Sequence, residues 1–116
     1  MWKYLFRRFL DACLPVSGLW GVLNNAGIGG AHGPPEWLTI DDYKAANSVN
    51  LYGLIDVTVT FLPLVKMARG RVVNMSSMGG RLTTPLFTSY AVTKYGVEAF
   101  TDGLRYVRVR RNTSMH

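Results

Sequence analysis

A tyrosine and a lysine four residues apart, Tyr90 and Lys94, follow a serine, Ser77, that lies thirteen residues before the tyrosine. On a helix, positions i and i+4 share a face, so the phenol and the ammonium point into the same space. A fixed positive charge beside a phenol favours the phenolate and eases exchange of its proton. Tyr90 in that setting is a candidate general acid/base for interconverting a carbonyl and an alcohol. Ser77 offers a hydroxyl to hold the substrate oxygen. Taken alone, the same spacing also fits a half-buried helical tyrosine beside a solvated lysine.

These residues need strands and helices to hold them. Residues 2–13 predict an amphipathic helix, with Trp2, Leu5, Phe6, Phe9, Leu10 and Cys13 at helical spacing and a stop near Pro15. Residues 18–24 predict a buried strand. A loop punctuated by Gly29, Gly30, Gly33, Pro34 and Pro35 runs to about Leu38. Thr39 caps a long helix that begins with Asp41 and Asp42 and runs to about Ala68, and Pro63 predicts a kink or a new turn. Residues 72–75 predict a second buried strand, 76–88 a loop, and 89–107 the last helix. Strand, helix, strand and helix in that order predict a parallel α/β sheet with a crossover helix.

Four motifs accompany the tyrosine. Asn24-Asn25-Ala26-Gly27 follows the apolar run Leu19–Leu23. Asn50 sits in Val49-Asn50-Leu51-Tyr52-Gly53. Gly70-Arg71-Val72-Val73-Asn74-Met75-Ser76-Ser77 leads to the serine, and Tyr90-Ala91-Val92-Thr93-Lys94 closes the set. In this order they resemble the short-chain dehydrogenase/reductase family, from about Leu19 to Tyr106. The resemblance implies a partial Rossmann-like α/β fold, a doubly wound parallel sheet lacking the N-terminal cofactor-binding half and the C-terminal strands. It divides the chain into an amphipathic N-terminal helix (1–17), a partial dehydrogenase domain (18–107) and a basic tail (108–116).

The resemblance also implies roles. Asn50, Ser77, Tyr90 and Lys94 form a catalytic tetrad, with Asn50 holding a water that links Lys94 to solvent. Asn24, Asn25, Ala26 and Gly27, with Tyr90 and Lys94, contact an NAD or NADP cofactor. The implied reaction interconverts a lipophilic alcohol and its carbonyl. Words such as Leu62-Pro63-Leu64-Val65 and Lys94-Tyr95-Gly96-Val97-Glu98-Ala99-Phe100 look like the retinol and 17β-hydroxysteroid dehydrogenase branch, while Leu104-Arg105-Tyr106 leans toward 3-hydroxybutyrate dehydrogenases. Phe87-Thr88-Ser89 stands where that branch often carries glycines. The compartment implied is intracellular, at the endoplasmic reticulum membrane or in mitochondria.

Other readings stand beside this one. The glycine turn T-G-x-x-x-G-x-G that cradles a pyrophosphate does not occur in the sequence. Gly27-Ile28-Gly29 is no substitute, because the third glycine of G-x-G-x-x-G would fall on His32. A catalytically silent fragment that pairs with a longer relative, through the two helices the family uses for subunit contacts, is therefore the alternative. For single residues, Asn50 also reads as a helix-kink residue, Ser77 as a strand-end cap and Lys94 as a surface charge.

The net charge of +6 sits at the ends: residues 1–12 carry +2, residues 105–116 carry +4, and the stretch between is balanced. Basic ends can attract an anionic membrane surface, though solvated tails are the simpler reading; no nucleic-acid module is recognisable. His32 reads as an exposed loop residue, and no metal site is suggested. Cys13 is the only cysteine, so no intrachain disulfide forms. No apolar run approaches the ~20 residues of a membrane span. The sequons at Asn74 and Asn112 read as chance matches.

Overall fold

A computed structural model describes residues 8, 11 and 18–112, with the side chains of the last helix described as far as Arg105. Two four-residue strands, β1 (Gly21–Asn24) and β2 (Arg71–Asn74), lie parallel and in register, Gly21 opposite Arg71 and Asn24 opposite Asn74. The crossover between them is helical. Helix α1 (Ile40–Asn47) passes into a π-helical segment (Ser48–Gly53) and then into α2 (Leu54–Met67). After β2, a 3-10 turn at Met78–Gly80 leads to α3 (Thr88–Asn112). This is the strand–helix–strand–helix order expected of a parallel α/β fold.

Local chemistry explains the element ends. Thr39 caps α1 as expected: its hydroxyl accepts from the Asp42 N–H, and the Asp42 carboxylate accepts from the Thr39 N–H at 2.8 Å, a complete capping box. Arg69 takes a left-handed backbone (φ 52°) where α2 ends. Gly70 follows because a Cβ there would overlap the carbonyl oxygens of Leu19 and Trp20. The chain can therefore turn tightly from α2 into β2 only without a side chain at that point.

Several expectations need correction. α2 continues through Pro63, and the departure from α geometry lies earlier, in the π-helical segment Ser48–Gly53 around Asn50. The strands are not buried on both faces. Leu23 is 64% and Val73 49% exposed, because α2 and α3 cover only one side of two strands among the described residues. Ile40–Met67 has the length and apolar content of a membrane span. Its Asn50 and Thr58, however, are buried and bonded to Ile28 and Asn24, the pattern of a helix covering a sheet. α3 runs to Asn112, past the expected end at 107 and into the stretch read as a tail. Of the helix expected over 2–13, Arg8 and Asp11 are helical; the rest, with Cys13, lies outside the described residues, as do residues 113–116.

The core is small. Ala46, Leu54, Val65, Ala91 and Val97 are its buried apolar members. Asparagines and threonines join them in a hydrogen-bonded layer. Asn24 Nδ2 donates to Thr58 Oγ1 and to Asn74 Oδ1, both at 2.8 Å. Asn74 Nδ2 donates to Thr101 Oγ1 at 2.9 Å. One asparagine pair thus ties β1 to β2, and through them α2 to α3. Buried amides must be paired to avoid a desolvation cost of about 1–3 kcal/mol each, and this relay satisfies them. It also occupies the Asn74 amide, in keeping with a chance sequon there.

Candidate active site

The β1–α1 loop, the end of β2 and the start of α3 enclose a cleft of about 430 Å³. Asn25, Gly27, Ile28, Gly29 and His32 line it from the first loop, Met75 and Ser76 from the end of β2, and Phe87, Tyr90 and Lys94 from α3 and its approach. The cleft therefore opens at the carboxyl ends of parallel strands, where open α/β sheets take ligands.

Tyr90 and Lys94 share one face of α3, and the Lys94 ammonium lies 5.6 Å from the centre of the Tyr90 ring. Lys94 is only 5% exposed. Its Nζ donates to the Met75 carbonyl at 2.9 Å, and among the described residues no carboxylate pairs with it. A buried cation without a counter-ion is costly, so the position is one a fold keeps for chemistry or for a polar ligand.

Asn50 is 1% exposed and sits within the π-helical segment. Its Oδ1 accepts from the Ile28 N–H at 2.7 Å, while its Nδ2 donates to the Ile28 carbonyl at 2.8 Å and to Thr93 Oγ1 at 3.1 Å. Thr93 in turn donates to the Tyr90 carbonyl at 2.7 Å. Asn50 therefore clamps the loop after Gly27 onto the helix that carries Tyr90. Both readings of its sequence position meet here: it is at the helix irregularity and at the site. A Cβ added to Gly27 would stand 3.5 Å from Asn50 Oδ1 and 3.9 Å from Lys94 Nζ, so glycine keeps that corner open.

The serines divide their duties in a way the spacing does not reveal. Ser76 lines the cleft. Ser77 is not in that lining; its hydroxyl caps the 3-10 turn by accepting from the Gly79 N–H at 3.2 Å. Ser77 and Tyr90 both approach Gly79, where an added Cβ would lie 3.2 Å from the Tyr90 ring and 3.7 Å from Ser77 Oγ. Ser77 is thus beside Tyr90, at the edge of the cleft. The Ser76 hydroxyl is buried without a hydrogen bond of standard geometry. It lies close enough to Glu98 to be the first cause holding that carboxyl below its usual range, helped by Arg81 and Arg105 and opposed by burial.

The Asn-Asn-Ala-Gly motif also divides. Asn25 and Gly27 line the cleft, whereas Asn24 spends its amide on Thr58 and Asn74 and supports the sheet. Ala26 is exposed and outside the lining. His32 is exposed as expected, yet it lines the cleft, its ring edge-on to Phe87 at 4.7 Å. That pairing joins residues distant in sequence and carries no local signal. No group of three or more His, Cys, Asp or Glu gathers among the described residues.

The comparisons agree with this geometry. A family model for short chain dehydrogenases matches residues 6–112. The chain is 57% identical over 88 residues to short-chain dehydrogenase/reductase family 9C member 7 of Mus musculus, covering 76% of this chain and 28% of that protein. It is 50% identical over 92 residues to the mitochondrial D-beta-hydroxybutyrate dehydrogenase of Rattus norvegicus, covering 79% and 26%. Among solved structures it resembles a gluconate 5-dehydrogenase from Burkholderia cenocepacia J2315 in complex with NADP and tartrate, with TM-score 0.75, 29% identity, and 88% of this chain and 39% of that one covered. A short chain dehydrogenase from Shigella flexneri gives TM-score 0.78 at 26% identity, covering 88% and 39%. The chain spans about a quarter of the length of the curated relatives it matches. With the Tyr90–Lys94 pair, the strand-end cleft and the match over residues 6–112 in agreement, the chain belongs to the short-chain dehydrogenase family.

Proposed function

We propose that this chain carries the proton-transfer part of an NAD- or NADP-dependent oxidoreductase that interconverts a lipophilic alcohol, of retinoid or steroid type, and its carbonyl. The observation that carries the proposal is Lys94, buried and without a carboxylate partner among the described residues, in the lining of a cleft that Tyr90 also lines.

The residues fit the nicotinamide-ribose end of such a cofactor. The Lys94 ammonium has three donors and spends one on Met75. The Gly27 corner is open beside it, so ribose hydroxyls would meet donors and space together. No residue is assigned to the pyrophosphate end. When bound, the cofactor supplies the hydride donor or acceptor.

This chain's own part is then acid–base and positional. In reduction, the Tyr90 phenol donates its proton to the substrate oxygen; in oxidation, its phenolate takes the proton from the alcohol. Lys94 holds a positive charge 5.6 Å from the ring centre, on the helix face that Tyr90 shares. Ser77, beside the Tyr90 ring, orients the substrate oxygen. Asn50 keeps the Ile28 loop and α3 in fixed relation, which sets the distance between ligand and phenol. Ile28, Met75 and Phe87, each between 44% and 45% exposed, give the substrate's carbon body apolar contacts, which supports a lipophilic alcohol over a small hydroxy acid.

Quenching of Trp20 and Trp37, both exposed, is the direct test on titration with NADH and NADPH. Turnover of retinol, a steroid alcohol and 3-hydroxybutyrate should follow in parallel. Saturable cofactor binding in the micromolar range, with preference for the lipophilic alcohols, supports the proposal. Preference for 3-hydroxybutyrate would move the substrate class, and absence of binding would remove the enzyme reading.

A further inference from the structure

We propose that His32 and Phe87 together form the substrate-selecting wall of the cleft, a built aromatic surface that accepts the flat apolar body of an alcohol whose oxygen reaches Tyr90. This deepens the oxidoreductase reading and rests on it for the identity of the reacting group.

The wall is constructed, not incidental. The two rings stand 4.7 Å apart at 85°, the edge-to-face arrangement that aromatic pairs favour. Each comes from a different loop, and two hydrogen bonds join those loops on either side of the pair. The Gly33 N–H donates to the Leu86 carbonyl at 3.1 Å. The Ser89 hydroxyl, fully buried, donates to the Ala31 carbonyl at 2.7 Å across 58 residues of sequence. Residues 31 and 33 on one strand of the clasp, and 86 and 89 on the other, thus bracket His32 and Phe87.

The His32 ring also lies over Gly29, where an added Cβ would come within 3.4 Å of its Cε1. No hydrogen bond holds the imidazole among the described residues. The ring is exposed and belongs to the cleft lining.

Phe87 is 45% exposed although it is packed against His32. Both rings belong to the lining that includes Tyr90 and Lys94. Ligand sites of this kind are mostly apolar with a few polar groups that fix orientation. Here the polar groups are at Asn25, Tyr90 and Lys94, so the carbon body of an alcohol held at Tyr90 has the Ile28, His32 and Phe87 surfaces to lie against. An edge-to-face pair sets two rings at right angles, a rigid apolar corner whose contact area a ring system fills better than a short chain.

The test uses the full chain with Phe87→Ala, His32→Ala and Phe87→Leu. Retinol binding is followed by its own fluorescence, NADPH binding by titration, and kcat/KM is measured for retinol and for a short-chain secondary alcohol. Both alanine variants should weaken retinol binding about tenfold or more, the scale on which apolar pockets discriminate. Phe87→Leu should weaken it less, and in all three variants kcat/KM for retinol should fall by a larger factor than kcat/KM for the short alcohol, and retinol affinity by a larger factor than NADPH affinity. Unchanged retinol affinity in both alanine variants overturns the wall, as does an equal loss for the short alcohol or a wild-type chain that binds no retinol. If no alcohol is turned over but retinol affinity falls in the variants, the wall stands and the oxidoreductase reading falls. If turnover is present with an unchanged retinol preference, the wall alone falls.

Discussion

Lys94 gives one N–H of its ammonium to the main-chain carbonyl of Met75 at 2.9 Å, and this bond fastens the helix carrying Tyr90 to the residue just past β2. The same ammonium therefore serves two ends. It anchors α3 to the sheet, and it sets a charge 5.6 Å from the Tyr90 ring centre.

Lys94→Met separates those ends. Methionine fills much of the lysine stem's space and removes a buried charge, a change that is often neutral or stabilising in buried positions. The lost bond leaves the Met75 carbonyl unsatisfied, which works against the gain. Stability should therefore change by no more than about 1 kcal/mol in urea melts, by the balance of these two effects. Turnover should be lost, and cofactor affinity should weaken. A variant that unfolds, or one that keeps full turnover, would assign Lys94 to structure alone.

Tyr90→Phe removes only the phenolic oxygen. The ring contact with Gly79 and the backbone bond from Thr93 are unaffected. Turnover should fall by about a hundredfold to ten-thousandfold, the range of general acid–base contributions. Cofactor titration should stay within about twofold of wild type, because binding energy elsewhere in the cleft is untouched. Equal turnover in the two proteins would take Tyr90 out of the reaction.

Tyr90 and Lys94 were legible because their relation is local: one helical turn sets it, whatever packs around the helix. The Thr39 cap was legible for the same reason. Asn50 was half legible. Its place in a motif marked it, but its side chain bonds to Ile28 and Thr93, 22 and 43 residues away, and no local pattern encodes such partners. Pro63 misled, since α2 accommodates it without a break. Ser76 and Ser77 could not be separated by spacing, because the burial of the Ser76 hydroxyl and the placing of the Ser77 hydroxyl beside Gly79 depend on the 3-10 turn that follows. The His32–Phe87 pair was invisible, as it exists only once two loops have met.

Asn50→Ala tests the clamp. The substitution strips the Ile28 N–H and carbonyl of their partners in a part-buried setting and releases the buried Thr93 from one bond. Unpaired buried groups cost about 1–3 kcal/mol each, so denaturant melts should show a loss of about 2–4 kcal/mol. The Ile28 amide should also lose its hydrogen-exchange protection. A stable variant with a protected Ile28 amide would show that the loop is held by other contacts.

Two carboxyls tie stability to acid. Asp42 is held below its usual range first by the Thr39 backbone N–H, then by the Thr39 hydroxyl, against a small opposing effect of burial. Glu98 is lowered first by Ser76. A carboxyl lowered on folding stabilises the fold fully at pH values above its unfolded range, and that contribution is lost as pH falls through the folded value. Melting temperature should therefore be level near neutrality and drop in the acid range. The gap between wild type and an Asp42→Asn, Glu98→Gln double variant should close there. A gap that persists at low pH would show that the substitutions act through packing and not through charge.

Gly80 and Gly103 make a matched pair for the packing of α3. A Cβ at Gly80 would lie 2.7 Å from Ser76 Oγ and 3.0 Å from the Lys94 carbonyl oxygen. Because the second of these is backbone, Gly80→Ala must push the turn after β2 away from the helix. Overpacking of this kind costs about 1–3 kcal/mol, and the displaced segment holds Ser76 and Ser77, so turnover should fall with stability. Gly103 lies within α3, and among the described residues nothing stands within 4 Å of a Cβ there. Gly103→Ala should raise stability by about 0.5–1 kcal/mol through helix propensity, with turnover unchanged. Thermal melts and kinetics on the two variants read both effects. If Gly80→Ala proved neutral in both, α3 would not be seated against the Ser76–Ser77 turn as closely as the Lys94–Met75 bond requires.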